Sequence, residues 1–449
     1  MSLDTPINNT QQLDSAVGAI NDVLDFKVID KPPYLSQATI TVPATIVDTL
    51  YQQTAINQQH HIQTQGFQRG NVPLSYIQQN FKTNLTSHLK EFILKYCVIN
   101  FLYTKIRSQK IMAADEPRLT SIALEPNKDA QFNFEWTQAN PITIHEWKYF
   151  PFKAPKRKNY KDLDRQVETF IKEERNHLKD WHDEGLVIGD WVSFTITLAK
   201  QDNTILLEQL KQNFWFKLDN EEVESPLRKL FFGKKKGDLF YTTNNGLQEY
   251  FSDQLPISYN FCVEIIDIVP HCYFCFEQFK SHFRIKTNKD MHKKLIEVCS
   301  YRNDISQRLA MVQDALKLLL YKHPIIVPKQ LVLRQQDTLL RTIRENPDYN
   351  VYRKQKDFQK QLQRLAEKQV KETIFLNQLA YHENIGATDE DIKGYLNLTK
   401  RQRIKEFIYC KLPNLKREGN TVPISTQELK HTCLRDKTIN YIIYHLTKK

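Results

Sequence analysis

Three successive parts of this chain of 449 residues differ in how their apolar residues are arranged, and this arrangement limits the possible folds more than any other feature. Up to about residue 185, short alternating segments lie between segments whose apolar residues recur every three or four positions. Residues 186–269 are rich in aromatic and β-branched side chains, which are typical of strands. After Pro270 the helical spacing returns and persists. The sequence therefore predicts an α+β multidomain protein.

Eight strands are predicted from alternation and from β-branched or aromatic composition. They cover residues 26–30, 38–42, 120–124, 131–137, 191–198, 213–218, 238–243 and 259–269. The first four lie on either side of a long helix, predicted over residues 85–106 because its apolar residues recur every three or four positions. The last four are expected to form a small antiparallel β domain.

The C-terminal part of the chain is predicted to be helical. One long helix is expected over residues 295–320 and ends at His323-Pro324. A second helix begins at Pro328, and a third covers about residues 354–382. The spacing of these segments indicates long helices that pack on one another.

Proline-rich and polar connectors divide the chain. We predict a polar tail over residues 1–24, an α+β domain over 25–150, a linker helix over 151–185, a β domain over 186–270 and a helical domain over 271–449. Within the last of these, Thr388 and Ser425 each begin a capping-box pattern, in which a hydroxyl and a later acidic side chain bond the free amides at a helix start.

The charge of the chain is strongly basic. Lysine and arginine number 63 against 52 aspartate and glutamate residues, so the formal net charge is +11. Such a balance favours polyanionic partners such as RNA but says nothing about the fold. Two basic runs, residues 153–158 and 234–236, contribute to it. We interpret them as solvated linker and hairpin charges, with contact to ribosomal RNA phosphates as the alternative.

Sequence motifs for nucleotide binding, dinucleotide binding or hydrolysis are absent. Glycine numbers only 11, which also argues against glycine-rich phosphate loops. Cys272-Tyr273-Phe274-Cys275 contains a CxxC motif, but no second pair has matching spacing, so we interpret the two cysteines as buried thiols. His60-His61 is interpreted as a solvated helix end. No catalytic residue, metal site or cofactor is therefore predicted.

The predicted location of the protein is cytoplasmic. The sequence contains no run of about 18 apolar residues, so a membrane-spanning helix is not expected. The polar first 13 residues lack the basic-then-apolar order of a signal peptide. The seven scattered cysteines are typical of reduced thiols in a cytosol.

One short segment combines two glycines, a proline, an aromatic residue and a cation. It reads Gly66-Phe67-Gln68-Arg69-Gly70-Asn71-Val72-Pro73 and lies between two helical patterns. The glycines and the proline predict a tight exposed loop, with Pro73 opening the next helix. An aromatic ring beside a cation at an exposed tip favours contact with a partner, and a simple tight turn is the alternative.

This loop resembles the signature Gly-Phe-Arg-Lys-Gly-x-x-Pro of the bacterial trigger factor family, whose members are chaperones at the ribosomal exit tunnel. Gln68 stands where the signature has its first basic residue. Residues 38–50, Gly189-Asp190-Trp191-Val192 and the helix end at His323-Pro324 are similar to other landmarks of that family, in the same order. The resemblance therefore extends over almost the whole chain after the tail.

The resemblance implies an α+β ribosome-binding domain, a small FKBP-like antiparallel β domain and an all-α C-terminal chaperone domain. It implies ribosome-binding roles for Gly66, Phe67, Gln68, Arg69, Gly70 and Pro73, with Phe67 as the anchor and Arg69 as the cation. The implied partners are the large ribosomal subunit near the exit tunnel and nascent or unfolded polypeptides. A homodimer away from the ribosome is left open, and neither a cofactor nor a membrane is implied.

FKBP-like domains isomerise prolyl bonds in an apolar pocket that removes water from the amide, a reaction that is slow without catalysis. The family's Phe-Ile-Pro-Gly-Phe-Glu stretch falls on Val223-Glu224-Ser225-Pro226-Leu227-Arg228. Glu224 thus replaces an apolar residue and Leu227 an aromatic one, and a carboxylate is costly to bury there. We therefore expect weak or lost peptidyl-prolyl isomerase activity. The candidate remnant pocket consists of Phe216, Leu227, Tyr250 and Phe261.

The sequence thus leads us to expect a trigger-factor-like chaperone that docks at the ribosomal exit tunnel and holds nascent chains to assist folding and export. Two alternatives belong to other classes of protein: an active peptidyl-prolyl cis-trans isomerase and a basic RNA-binding protein. Turnover of a prolyl peptide identifies the first, and retention on protein-free ribosomal RNA identifies the second.

Overall fold

The fold combines two large antiparallel sheets, and one two-stranded antiparallel pair near the C-terminus, with a helical C-terminal region; the sequence predicts the two large sheets and the helical region. The computed structural model describes residues 23–31, 34–153, 162–180, 185–220, 225–302, 305–344, 346–401, 408–410, 412, 415–417 and 420–448. Of the predicted polar tail, only Val23 and Leu24 are among them. No helix within these ranges is both long enough and apolar enough to cross a membrane.

The N-terminal sheet contains β1 (Asp25–Lys31), β2 (Leu35–Val42), β3 (Arg118–Ala123) and β4 (Ala130–Thr137). The strands lie in the order β1-β2-β4-β3, and every neighbouring pair is antiparallel. Every second residue of β2 is buried, because successive side chains point to opposite faces and one face covers the core. The four strands predicted here are confirmed, with ends that shift by three residues at most.

Four helices share a hydrophobic core with the covered face of this sheet. They are α1 (Ala44–Gln59), α2 (Leu74–Asn80), α3 (Lys82–Ile93) and α4 (Ile99–Ser108). A π-helical turn, Leu94–Val98, joins α3 to α4, so the long helix predicted over residues 85–106 is confirmed. Pro43 and Pro73 stand at the positions before α1 and α2, where the missing N–H costs no hydrogen bond.

The second sheet contains the four predicted strands β5 (Trp191–Ala199), β6 (Gln212–Lys217), β7 (Leu239–Thr242) and β8 (Asn260–Val269). Two short helices lie between these strands along the chain, α6 (Pro226–Phe231) and α7 (Asn245–Phe251). A fifth strand, Ile424–Ser425, comes from the far end of the chain. It pairs with β6, with Ile424 opposite Trp215, and the order continues through β5 and β8 to β7. The C-terminal region therefore covers an edge that β6 would otherwise expose.

One hydrophobic core joins the N-terminal module to the second sheet. The ring of Phe92 on α3 lies 4.6 Å from that of Tyr259 and 5.6 Å from that of Phe251, measured between centroids. The ring of Tyr96 lies 5.5 Å from that of Phe251. All four rings are buried. The long helix of the first module thus forms part of the core of the second sheet.

The remaining chain is helical apart from three two-residue strands. The helices are α5 (Leu163–Asp180), α8 (Phe276–His282), α9 (Asn288–Arg302), α10 (Ile305–Lys322), α11 (Lys329–Arg344), α12 (Tyr349–Arg353), α13 (Phe358–His382), α14 (Asp389–Thr399) and α15 (Thr426–Thr447), and the strands are β9 (Lys416–Arg417), β10 (Asn420–Thr421) and β11 (Ile424–Ser425). Buried residues of α15, among them Ile439 and Ile442, pack with α10 and α13 in a second core.

Several predicted helix ends differ in the structure. Residues 295–320 lie in two helices, α9 and α10, and the two residues between them are outside the described ranges. The Thr388 capping box is confirmed, with reciprocal bonds between Thr388 and Asp391. Ser425 caps α15 by accepting from the Gln427 N–H, whereas no reciprocal bond from Glu428 occurs within residues 420–448. The second capping box is therefore only half formed.

The connector that precedes α5 is tied to the helical region through Glu383. This carboxylate accepts hydrogen bonds from Trp147 Nε1 at 3.1 Å, Lys148 Nζ at 2.5 Å and the Tyr441 hydroxyl at 2.9 Å. Burial alone would raise the pKa of Glu383, but these bonds outweigh it and lower that pKa to about 2. The connector is consequently fixed by a charged group that stays ionised at all ordinary pH values.

Candidate functional site

The glycine-containing loop lies between α1 and α2, as predicted. Gly66 and Gly70 have φ values of +91° and +86°, in the left-handed region that glycine adopts without strain. Apart from each glycine and its two chain neighbours, no atom of the described residues lies within 4 Å of the place that a Cβ would occupy. The two glycines thus turn the chain away from the body of the protein and leave the tip between them open to solvent.

Phe67, Gln68 and Arg69 form the exposed tip of this loop. The Phe67 side chain is 38% exposed, and its ring centroid lies 5.2 Å from that of Tyr76 on α2. Arg69 Nε donates to the His60 carbonyl at 3.2 Å. The aromatic ring therefore contacts the start of α2, and the guanidinium group is hydrogen bonded to the end of α1. Both groups remain accessible to a partner.

The base of the loop is packed and hydrogen bonded. Val72 is fully buried, and its carbonyl accepts from Gln59 Nε2 at 2.6 Å. Pro73 is exposed and stands directly before α2. His60 and His61 lie at the end of α1, His60 exposed and His61 half-buried, in agreement with the interpretation as a helix end. The loop of residues 66–73 therefore has a packed, hydrogen-bonded base and an exposed tip.

The four residues predicted as a remnant prolyl pocket do not form one pocket, because only Leu227 and Tyr250 share a cleft. Phe216 on β6 pairs at the level of Val192, whereas Phe261 on β8 pairs at the level of Leu198. These levels are six residues apart along β5, or about 20 Å. Both phenylalanines are buried in the core, and neither lines the cleft that Leu227 borders.

Leu227 and Tyr250 border one cleft, whose volume is about 650 Å³. Its wall is mixed: the polar residues are His61, Ser225, Asn245, Gln248, Glu249, Ser252, Asp253, Ser258, Asn420 and Thr421, and the other apolar residues include Pro226, Leu255, Pro256 and Ile257. The C-terminal segment also contributes Val422 to the same wall. Glu224, on which the expected loss of isomerase activity depends, lies outside the described residues.

A buried polar contact that the sequence did not reveal joins the N-terminal module to the second sheet. The Tyr259 hydroxyl lies 2.8 Å from Thr54 Oγ1 and 3.1 Å from His88 Nε2. All three residues are buried. Burial lowers the pKa of His88 to about 4, although the carboxylates of Glu91 and Asp253 favour its charged form. The interface therefore contains a neutral imidazole.

We expect this interface to lose stability as the pH falls from 7 to 5. His88 has an ordinary pKa of 6.5 when unfolded and about 4 when folded, so in this range it takes up a proton mainly on unfolding. The loss in the free energy of unfolding is about 2 kcal/mol. Urea unfolding of wild type and His88→Phe at both pH values measures it. If the variant keeps the full pH dependence, the assignment to His88 is wrong.

The CxxC segment connects β8 to α8. Cys272 is exposed and Cys275 half-buried, so the interpretation of both as buried thiols is wrong for Cys272. The Asn397 side chain bonds both the N–H and the carbonyl of Cys275 at 2.9 Å, and Arg401 donates to the Cys272 carbonyl at 3.0 Å. These bonds indicate a structural role for the segment. Over the described part of the chain, no three His, Cys, Asp or Glu side chains come together as metal ligands.

One of the two basic runs can be described. Lys234 lies over the Phe240 ring at 4.7 Å, and Lys236 pairs with Asp267 at 3.0 Å. These contacts agree with the interpretation as a solvated turn. In the other run, only Lys153 is among the described residues.

The helical region exposes large apolar side chains. Tyr321 is 81% exposed, Ile326 78%, Val351 64% and Leu333 57%. Isolated exposed apolar residues are normal, but these four follow one another from the end of α10 to α12. They provide a discontinuous apolar surface, which suits many weak contacts better than one deep pocket.

The fold and the loop together define a multidomain α+β protein with a helical C-terminal region. Residues 25–173 match the family model described as "Bacterial trigger factor protein (TF)", and residues 287–410 match the model described as "Bacterial trigger factor protein (TF) C-terminus". The chain belongs to the trigger factor family. The predicted resemblance is thereby confirmed.

Two curated trigger factors are distantly similar to this chain. Trigger factor of Rickettsia akari is 23% identical over 168 residues, which cover 36% of this chain and 35% of the relative. Trigger factor of Saccharophagus degradans is 26% identical over 94 residues, which cover 21% of this chain and 20% of the relative. The chain thus spans about a third or less of the length of these relatives.

One solved structure is described as "Promiscuous Substrate Recognition in Folding and Assembly Activities of the Trigger Factor Chaperone". It matches 94% of this chain and all of its own chain at 14% identity and a TM-score of 0.36. At that score the superposition carries no weight for the argument.

Proposed function

We propose that this protein is a chaperone that docks on the large ribosomal subunit near the exit tunnel and holds nascent or unfolded chains in the cytoplasm. The observation that carries the proposal is the loop of residues 66–73, with Phe67 and Arg69 exposed between two glycines. Membership of the trigger factor family supports it. Co-sedimentation of the full chain with purified ribosomes tests it.

The docking role of the loop rests on its physical character. A large ring at a fixed exposed tip buries apolar area on binding with little loss of conformational freedom. Arg69 adds a cation suited to an anionic partner such as ribosomal RNA. Gln68, which lacks the family's first positive charge, weakens the electrostatic part of the contact. Replacing Gln68 with arginine would restore that charge, with the greatest gain at low salt.

The holding role rests on the exposed apolar side chains of the helical region. Each contributes about 1.5–3 kcal/mol when it is fully buried against a client. Scattered contacts of this size give weak, promiscuous binding, which lets a client leave once its own apolar residues are buried by folding. Weak binding of this kind also lets clients that are destined for export dissociate from the chaperone. Neither a nucleotide nor a metal is part of this mechanism, and self-association off the ribosome would compete for the same apolar surface.

The isomerase role is proposed to be weak or lost. Phe216 and Phe261 are buried about 20 Å apart along the sheet, while Leu227 and Tyr250 border a cleft with many polar groups. Such a wall keeps water near a bound amide instead of removing it. An active isomerase, the alternative class, would need an apolar pocket that these residues do not provide.

We expect the protein to leave the isomerisation rate of a short Xaa-Pro peptide close to the rate in buffer. The reason is that the polar groups in the mixed wall of the cleft keep water near the imide. Exchange between cis and trans forms, followed by NMR, measures the rate directly, and an intact trigger factor serves as the positive control. Strong catalysis that falls on Leu227→Ala, in a variant that stays folded, would show that the pocket works.

A further inference from the structure

The hairpin of α11, α12 and α13, here called the arm, carries many cations around its tip. All are exposed: Arg341, Arg344, Arg353, Lys354, Lys356, Lys360 and Arg364. None of them forms an ion pair with another described residue. Asp348 and Asp357 are the acidic residues described in the same stretch, and Glu345 lies outside the described ranges. The tip is thus strongly basic.

The arm does not need these cations for its own fold. Leu362 and Ala366 of α13 are buried within the hairpin. The polar contacts between α11 and α13 are amide pairs, Gln335 with Gln369 at 2.8 Å and Gln336 with Gln359 at 3.1 Å. Seven like charges on one exposed end repel one another, so their presence costs stability and calls for another explanation.

The base of the arm is anchored, and the tip is not. Arg334 pairs with Asp115 of the N-terminal module at 2.8 Å, and Leu331 packs in a small cluster with Ala114 and Ala139. At the other end, every residue from 346 to 357 is exposed except Tyr349, which is half-buried. The tip therefore presents its charges to solvent on a fixed support.

We propose that the arm tip binds single-stranded RNA. Four of its seven cations are arginines, whose planar guanidinium groups pair with phosphates in a bidentate manner. Tyr352, 40% exposed on the short helix α12, supplies an aromatic face on which a base stacks. An acidic polypeptide would match the charge but would make no use of that face. This inference goes beyond the proposed chaperone function and does not depend on the loop of residues 66–73.

The test uses the full chain and a fluorescein-labelled 20-nucleotide uridine RNA, with binding followed by anisotropy between 50 and 200 mM salt. Arg353→Gln, Lys354→Gln and Lys356→Gln together remove three phosphate contacts. The affinity should fall about 100-fold near 100 mM salt, and the slope of log K against log salt should fall by about 2, at about 0.7 per phosphate.

A matched control removes the same charge elsewhere. Lys172, Arg175 and Lys179 are exposed on α5, and replacing all three with glutamine lowers the net charge equally. This control should bind the RNA nearly as tightly as wild type. Equal losses in both triple variants would mean that overall charge, and not the arm tip, binds RNA, and would overturn the proposal.

Variants of Tyr352 distinguish RNA from an acidic polypeptide as the partner of the arm tip. Tyr352→Ala should weaken RNA binding about tenfold, and Tyr352→Phe should bind like wild type, because only the ring is needed for stacking. No effect of Tyr352→Ala, together with full competition by polyglutamate, would overturn the proposal in favour of an acidic protein. A variant with alanines at positions 67–69 should keep full RNA affinity, so failure of ribosome docking and failure of this proposal give different results.

Discussion

Replacing Phe67, Gln68 and Arg69 together with alanine is expected to abolish co-sedimentation of the protein with ribosomes. An aromatic anchor at the centre of an interface typically contributes about 2–4 kcal/mol, which corresponds to roughly 30- to 1,000-fold in affinity. Fold stability should change by less than about 0.5 kcal/mol, because the three side chains lie at an exposed tip.

The matched control for this variant is Phe232→Ala. Phe232 is also exposed, at 55%, and also stands beside a glycine of positive φ, Gly233, but it belongs to the second sheet domain. Its removal should leave ribosome pelleting unchanged. Equal pelleting of the triple-alanine variant and wild type would remove the loop from the docking surface, and equal loss in both variants would indicate nonspecific apolar adhesion.

The second large effect is expected for the exposed apolar residues of the helical region. A protein with Tyr321→Ser, Ile326→Ser and Leu333→Ser should need at least about ten times more chaperone to suppress aggregation of an unfolded client. The three side chains together offer several kcal/mol of apolar burial, although promiscuous contacts use only part of it. Light scattering of a diluted, denatured client protein measures the effect.

Serines at Ile29, Leu178 and Leu239 provide the control for this experiment. These residues are also exposed, at 62%, 48% and 58%, but lie on β1, α5 and β7. They should leave aggregation suppression intact. Suppression that falls equally in both triple variants would show that client holding is not confined to the segment from α10 to α12.

Local features of this protein could be predicted from the sequence because they depend on neighbouring residues. The alternation in β2 predicts a half-buried strand, and the glycines at positions 66 and 70 predict an exposed turn. The structure confirms both. The spacing in residues 85–106 predicts a continuous helix, although it gives no sign of the π-helical turn at Leu94–Val98.

Contacts between distant segments could not be predicted in this way. Ile424–Ser425 is too short to be recognised as a strand from the sequence. Its pairing with β6 depends on how the C-terminal region folds back. The apolar stripe that contains Phe92 predicts a buried helix face, but not that Phe92 and the nearby His88 pack against Tyr259. For the same reason, deleting residues 186–269 would expose this core and would not be a clean test of the helical region.

The candidate site also combines a local feature, which the sequence predicts, with contacts between distant segments, which it does not predict. The loop of residues 66–73 is a local unit, and its exposed tip could be predicted from composition. The four residues of the predicted prolyl pocket come from two strands and two helices, so residue type alone could not show that Phe216 and Phe261 lie far apart. The placement of the CxxC segment also depends on tertiary contacts, here those made by Asn397 to Cys275 and by Arg401 to Cys272.

The most direct test of ribosome docking is site-specific cross-linking from position 67. A photoreactive benzoylphenylalanine in place of Phe67, in the otherwise intact chain, should cross-link on ribosomes to a component of the large subunit beside the exit tunnel. The same group in place of Phe232 should give no such product. A protein that pellets with ribosomes but cross-links only from position 232, and never from position 67, would contradict the account.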